Sequence, residues 1–135
     1  MKIMGYNALA ILVAAIAIYI VGIVIYGFLV PQEMWMAASG ITKEQMDAMG
    51  TARMPYSPIM PIVTAIGMAI LFKWAGVSGL SNGVKFSALV ACASALPALW
   101  YGWVYGVGPC LGPLIDSAHL LTGHVVAGAI LASWK

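Results

Sequence analysis

Charge is what this sequence has least of. Aspartate, glutamate, lysine and arginine make up 7% of 135 residues, where a soluble domain carries about 25%. Four acids and six bases leave no charged block long enough to cover a water-facing domain, and a net charge of +2 is too small to argue for a nucleic-acid partner. Cysteine is almost missing too. Cys92 lies inside an apolar run and Cys110 in a loop, which makes neither a disulfide framework nor a metal-ligand pair. Cys92 reads as a small packing residue. A nucleophile–base pair, a phosphate-cradling glycine loop and the histidine spacing of zinc sites are all lacking. The reading therefore leans away from an enzyme, expects no metal and leaves any cofactor unknown.

What is present is apolar. Hydrophobic residues form 63% of the chain and the mean hydropathy is +0.99. They gather in four stretches, at about residues 7–30, 55–72, 86–107 and 114–134, each near the roughly 20 residues that cross a hydrocarbon core. In lipid each span must satisfy its own backbone, which forces helix. The expectation is one all-α domain over residues 1–135, an integral membrane four-helix bundle. The first stretch exceeds the roughly 7–15 apolar residues of a signal peptide and reads as a retained span.

The connections carry the polar residues. Residues 31–54 are amphipathic, and Thr42-Lys43-Glu44-Gln45 is a capping box that predicts a short interfacial helix near 43–50. Residues 73–85 are rich in glycine and serine and read as a turn; residues 108–113 read as a tight one. Lys2, Lys73, Lys85 and Lys135 fall on one side of a four-span arrangement, Lys43 and Arg53 on the other. Positive residues collect on the cytoplasmic side. That predicts a bacterial inner-membrane protein with both termini cytoplasmic.

Packing inside lipid relies on small residues. Gly102 and Gly106 form a GxxxG in the third stretch, with Ala91 and Ala95 extending the stripe; Gly123, Ala127 and Gly128 do the same in the fourth, and Ala10, Ala14 and Ala17 in the first. Pro97, in mid-span, removes a backbone donor and predicts a kink.

The fourth stretch holds Asp116, His119 and His124, both histidines and the one carboxylate near a span. Ionisable groups there are costly and mark a candidate functional site. Asp116 and His119, three apart, share a helix face. His124 lies five residues past His119, about 140° round the helix, and about 12 Å below Asp116. Arg53 sits level with Asp116 in the four-span arrangement, which predicts an Arg53–Asp116 ion pair. Of the many aromatics at that level most belong to an interfacial belt, with Tyr56 and Tyr101 as candidates to face His119.

Across nearly its whole length the chain resembles the bacterial membrane family catalogued as domain of unknown function 1761. The resemblance rests on Asn7 and the alanine-rich first span, on Gly22, Tyr26-Gly27 and Trp35, and on Gly40-Ile41-Thr42-Lys43-Glu44-Gln45-Met46. It returns in Leu114-Ile115-Asp116-Ser117-Ala118-His119 and in Gly128-Ala129-Ile130-Leu131-Ala132-Ser133-Trp134. It implies a small four-helix membrane protein and no particular activity. Three functions stay open, in order of preference. The first is a structural or accessory subunit whose partners are the bilayer, other membrane subunits or a second copy. The second is a proton or small-solute carrier using Asp116, His119 and His124. The third is an intramembrane cofactor binder or enzyme.

Overall fold

The computed structural model describes residues 2–3 and 6–134; Lys135, used in the charge argument, lies outside the described residues. Two dipeptides, β1 (Lys2–Ile3) and β2 (Tyr6–Asn7), pair antiparallel ahead of the first helix. Six helices follow: α1 (Ala8–Leu29), α2 (Gln32–Ser39), α3 (Lys43–Arg53), α4 (Met54–Trp74), α5 (Leu80–Val104) and α6 (Leu111–Ser133). Four of them, α1, α4, α5 and α6, are long and apolar enough to cross a membrane. At 1.5 Å per residue, the 22 residues of α1 run about 33 Å, the thickness of a hydrocarbon core.

Local chemistry sets the boundaries. Asn7 caps α1 by accepting from the Leu9 N–H at 3.0 Å. Gly40, at φ 66°, closes α2 in the left-handed conformation. The capping box of α3 forms in full, with the Gln45 N–H donating to Thr42 Oγ1 at 3.2 Å and the Thr42 N–H to Gln45 Oε1 at 2.9 Å. The connection thus holds two helices, where the sequence predicted one. Pro55 and Pro58 confine the start of α4 to a tight turn at Met54–Tyr56 before regular helix begins at Ile59. In α5 a π turn at Ala91–Ala95 stands directly before Pro97. The wider turn accommodates the missing N–H and the ring of Pro97.

The spans run alternately, and α6 lies between α1 and α5, while α4 packs on the other side of α1. The core sits at the end of the bundle that carries the termini. Ala10, Ala14 and Ile18 of α1 meet Ala65, Met68, Ala69 and Phe72 of α4 and Ala127, Leu131 and Ala132 of α6. Phe72, fully buried, closes that end edge-on against Phe86 of α5, with ring centroids 5.4 Å apart. Towards the opposite end the helices part. From Tyr101 to Leu111 every residue is exposed.

The tightest helix approach is between α5 and α6. A Cβ on Gly128 would fall onto Ser87 Oγ and within 2.8 Å of the Gly83 carbonyl. Ser87, buried, turns its hydroxyl to that carbonyl at 2.7 Å. Two expectations from the sequence fail here. Gly102 has open space around it, and Gly106 lies beyond the end of α5, so this GxxxG does not pack the bundle. At the α5–α6 contact the glycines that do are Gly83 and Gly128. They lie where α5 begins at Leu80, six residues earlier than the hydropathy suggested. Cys92 is exposed rather than packed.

Gly128→Val is therefore expected to lower stability by about 1–3 kcal/mol through overpacking, measured by unfolding in detergent. Gly102→Val should leave the same midpoint unchanged. Equal loss in both would contradict this packing.

Candidate functional site

The site is built by the antiparallel register of α1 against α6. Ile18, Gly22 and Tyr26 recur every four residues on one face of α1. They meet, in reverse order, Gly123, His119 and Asp116. At Gly123 a Cβ would sit 3.3 Å from Ile18 Cγ2, and at Gly22 it would sit 3.2 Å from His119 Nε2. Missing side chains thus let Ile18 and His119 lie against the opposite backbone. That closeness brings His119 to the Ile18 backbone carbonyl. One turn further, the Tyr26 hydroxyl donates to Asp116 Oδ1 at 2.5 Å. Its ring stands edge-on to the His119 imidazole, 5.3 Å away at 78°. Asp116, Tyr26 and His119 form one half-buried cluster joining two spans. A carboxylate gains more from such a donor than a neutral acceptor would.

His124 stays apart from this cluster. Its Nδ1 is 2.7 Å from the Leu120 carbonyl of its own helix. Ser117, next to Asp116, accepts from Trp100 Nε1 at 3.0 Å and donates to the Pro113 carbonyl, which ties α5 to α6 at this level. Among the described residues no group of three histidine, cysteine or acidic side chains gathers at one point.

Above the cluster the splayed ends leave a cavity of about 870 Å³. Tyr26, Gly27 and Phe28 of α1 and Asp116 of α6 line it from below; Gln32 and Trp35 of α2, Met46, Met49 and Arg53 of α3, and Met54 and Ser57 of α4 line it from the side. Two contacts hold the roof, one to α6 and one between α2 and α3. The Ala38 carbonyl rests on Gly112, where a Cβ would come within 2.8 Å, and Gln32 Nε2 reaches Met46 Sδ at 3.4 Å. Tyr19 and Ser57, hydroxyls 3.3 Å apart, join α1 to α4 beneath it. A second groove, about 480 Å³ between α1 and α6, has Ile20, Val24 and Ile115 for walls and Thr122 as its one polar side chain.

Of the six candidates, Asp116 and His119 come together, and Arg53 shares the cavity wall with Asp116. Arg53 does not pair with Asp116. Among the described residues its guanidinium meets the Met49 sulfur, 3.9 Å from NH1, and Tyr26 takes the carboxylate. Tyr56 and Tyr101 point away, 64% and 63% exposed, Tyr101 stacked on Tyr105. Tyr26 is the residue that sequence reasoning placed in the aromatic belt. Its signal was the Gly22–Tyr26 spacing, one turn long like Asp116–His119.

Four apolar spans with a polar cluster bridged between two of them define an all-α membrane protein of the multi-spanning class. The chain matches, over residues 9–132, the family described as "Protein of unknown function (DUF1761)". It belongs to that family. No curated protein and no solved structure matches it.

Loss of the bridging bond is measurable. Tyr26→Phe and Asp116→Asn, alone and combined, should show a coupling of about 0.5–3 kcal/mol in unfolding. Simple additivity of the two would mean that the bond contributes nothing. Gly22→Val should cost more than Gly27→Val, since at Gly27 only Ile23 lies within 4 Å.

Proposed function

We propose that this protein is a carrier for a small polar solute, with Asp116 as the group that meets the cargo and His119 behind it. One observation carries the reading: the bundle is shut by Phe72 and small residues at the termini end, and open at the other into a cavity that ends on Asp116. A cavity of this size suits a small-molecule site, and an ionisable side chain at its floor, within a membrane span, fits a pathway for cargo or protons. His124, deeper and on another face, would be the next polar stop on an inward path. We place both termini on the cytoplasmic side of a bacterial inner membrane. The support is the charge bias: Lys73 and Lys85 lie at the termini end, Lys43 and Arg53 at the cavity end. The cavity then opens outward, roofed by α2 and α3 at the level of the lipid headgroups.

A second reading, an accessory subunit packing against another membrane protein or another copy, draws on a different feature. The outer end of α5 offers an uncrowded Gly102 and Tyr101, stacked on Tyr105 just past the helix. Helices in lipid associate through such small-residue faces.

Uptake decides between them. Proteoliposomes incubated with a mixture of small cytosolic metabolites, and assayed by mass spectrometry of their contents, should accumulate a defined subset. Asp116→Asn, which keeps an acceptor for Tyr26, should lower that uptake by about tenfold or more. Uptake equal to that of empty liposomes would overturn the carrier reading and leave the accessory one.

A further inference from the structure

The cavity walls hold an acid and a base that do not pair with each other. Asp116 is at the floor, bonded to Tyr26; Arg53 is on the α3 side, with the Met49 sulfur as its contact among the described residues. Opposite charges that line one cavity without meeting leave two complementary places for a ligand. Their surroundings differ. Asp116 has three aromatic rings on the same cavity, Tyr26, Phe28 and Trp35. Ring faces attract cations, and aromatic rings beside a carboxylate form the setting in which ammonium groups are held. Arg53 presents a planar fork of donors suited to a carboxylate or phosphate. A ligand that is only an anion would satisfy Arg53 and be repelled by Asp116, and a simple cation would meet the reverse.

We propose that the cavity binds a zwitterion: an ammonium group seated on Asp116 beside Tyr26, in the cavity that Phe28 and Trp35 also line, and an anionic oxygen group seated on Arg53. This deepens the carrier reading by naming the class of its cargo, and rests on it for transport though not for binding. The chemistry has two sources, an amino-acid-like solute or the headgroup of an ethanolamine phospholipid. The methionines of the cavity, Met46, Met49 and Met54, supply a pliant apolar wall for either body.

Binding to the full chain in detergent tests it by calorimetry, with three probes: leucine, dihexanoyl phosphatidylethanolamine, and dihexanoyl phosphatidylglycerol, which has the anion without the ammonium. At least one zwitterion should bind, and Asp116→Asn and Arg53→Gln should each weaken it by about tenfold or more. Phosphatidylglycerol should bind more weakly, lose affinity with Arg53→Gln and lose none with Asp116→Asn, which removes a repulsion. Leucine binding identifies a soluble source, phosphatidylethanolamine binding a lipid one. Arg53 is exposed, so Arg53→Gln leaves the fold intact and Arg53→Lys should restore part of the affinity. No binding by either zwitterion, equal binding by phosphatidylglycerol, or indifference to both substitutions overturns the proposal. Zwitterion binding without uptake into proteoliposomes would leave this site standing and remove the carrier function instead.

Discussion

Everything in this bundle depends on how closely α6 approaches its two neighbours. In lipid no hydrophobic force presses helices together, so dispersion and interhelical hydrogen bonds must do it, and both demand short range. Glycine supplies that range on two faces of α6. On one, Gly123 admits Ile18 of α1; on the other, Gly128 admits Ser87 of α5. Once Ile18 is seated at Gly123, the next turn of α1 must present Gly22 to His119, and the turn after that Tyr26 to Asp116. The polar cluster is thus a consequence of a packing register set one and two turns away. A side chain at Gly128 would alter it indirectly, by shifting α6.

The same register resolves the cost of ionisable groups at depth. An unsatisfied polar atom in hydrocarbon is penalised by several kcal/mol. Asp116 has the Tyr26 hydroxyl and His124 the carbonyl of its own Leu120, while His119 lies at the Ile18 carbonyl and edge-on to the Tyr26 ring. The neighbours of Asp116 and His119 come from another helix and that of His124 does not. Asp116 and His119 therefore report on the separation of α1 and α6, whereas His124 would keep its bond if the two helices moved. That distinction makes the α1–α6 pair the place where a change at the cavity would be felt inside the bundle.

Much of the fold was legible because hydropathy and capping are local properties. Four apolar runs became four spanning helices, and Thr42 and Gln45 made the capping box their spacing implies. Interhelical facts were harder to see. Gly102 and Gly106 have the spacing of a packing motif, but spacing does not say which face finds a partner, and this one finds none among the described residues. Gly79, Ser81 and Gly83 resemble a turn by composition, yet Gly83 lies in α5 because a helix must come within backbone distance of Gly128. Matching Arg53 to Asp116 by depth ignored position across the bundle, where Tyr26 is nearer. Tyr26 itself was hidden by company, as one of several aromatics near the same end. Only its four-residue offset from Gly22, set beside the three-residue offset of Asp116 and His119, distinguishes it.

The separation of Arg53 from Asp116 has a structural origin that bears on function. Asp116 belongs to α6, held in register by glycine on two sides, and its carboxylate is already aimed by Tyr26. Arg53 ends α3, where none of the residues with described burial is buried, joined to the bundle through the roof contacts of α2 and the short turn into α4. One charge is fixed and the other rides on a helix outside the core. An ion pair between them would cover the cavity floor and tie the roof down; with Tyr26 holding the acid, the roof keeps its base free to face into the cavity. A bond between two spans thereby maintains the opposed charges on which recognition at this site would depend.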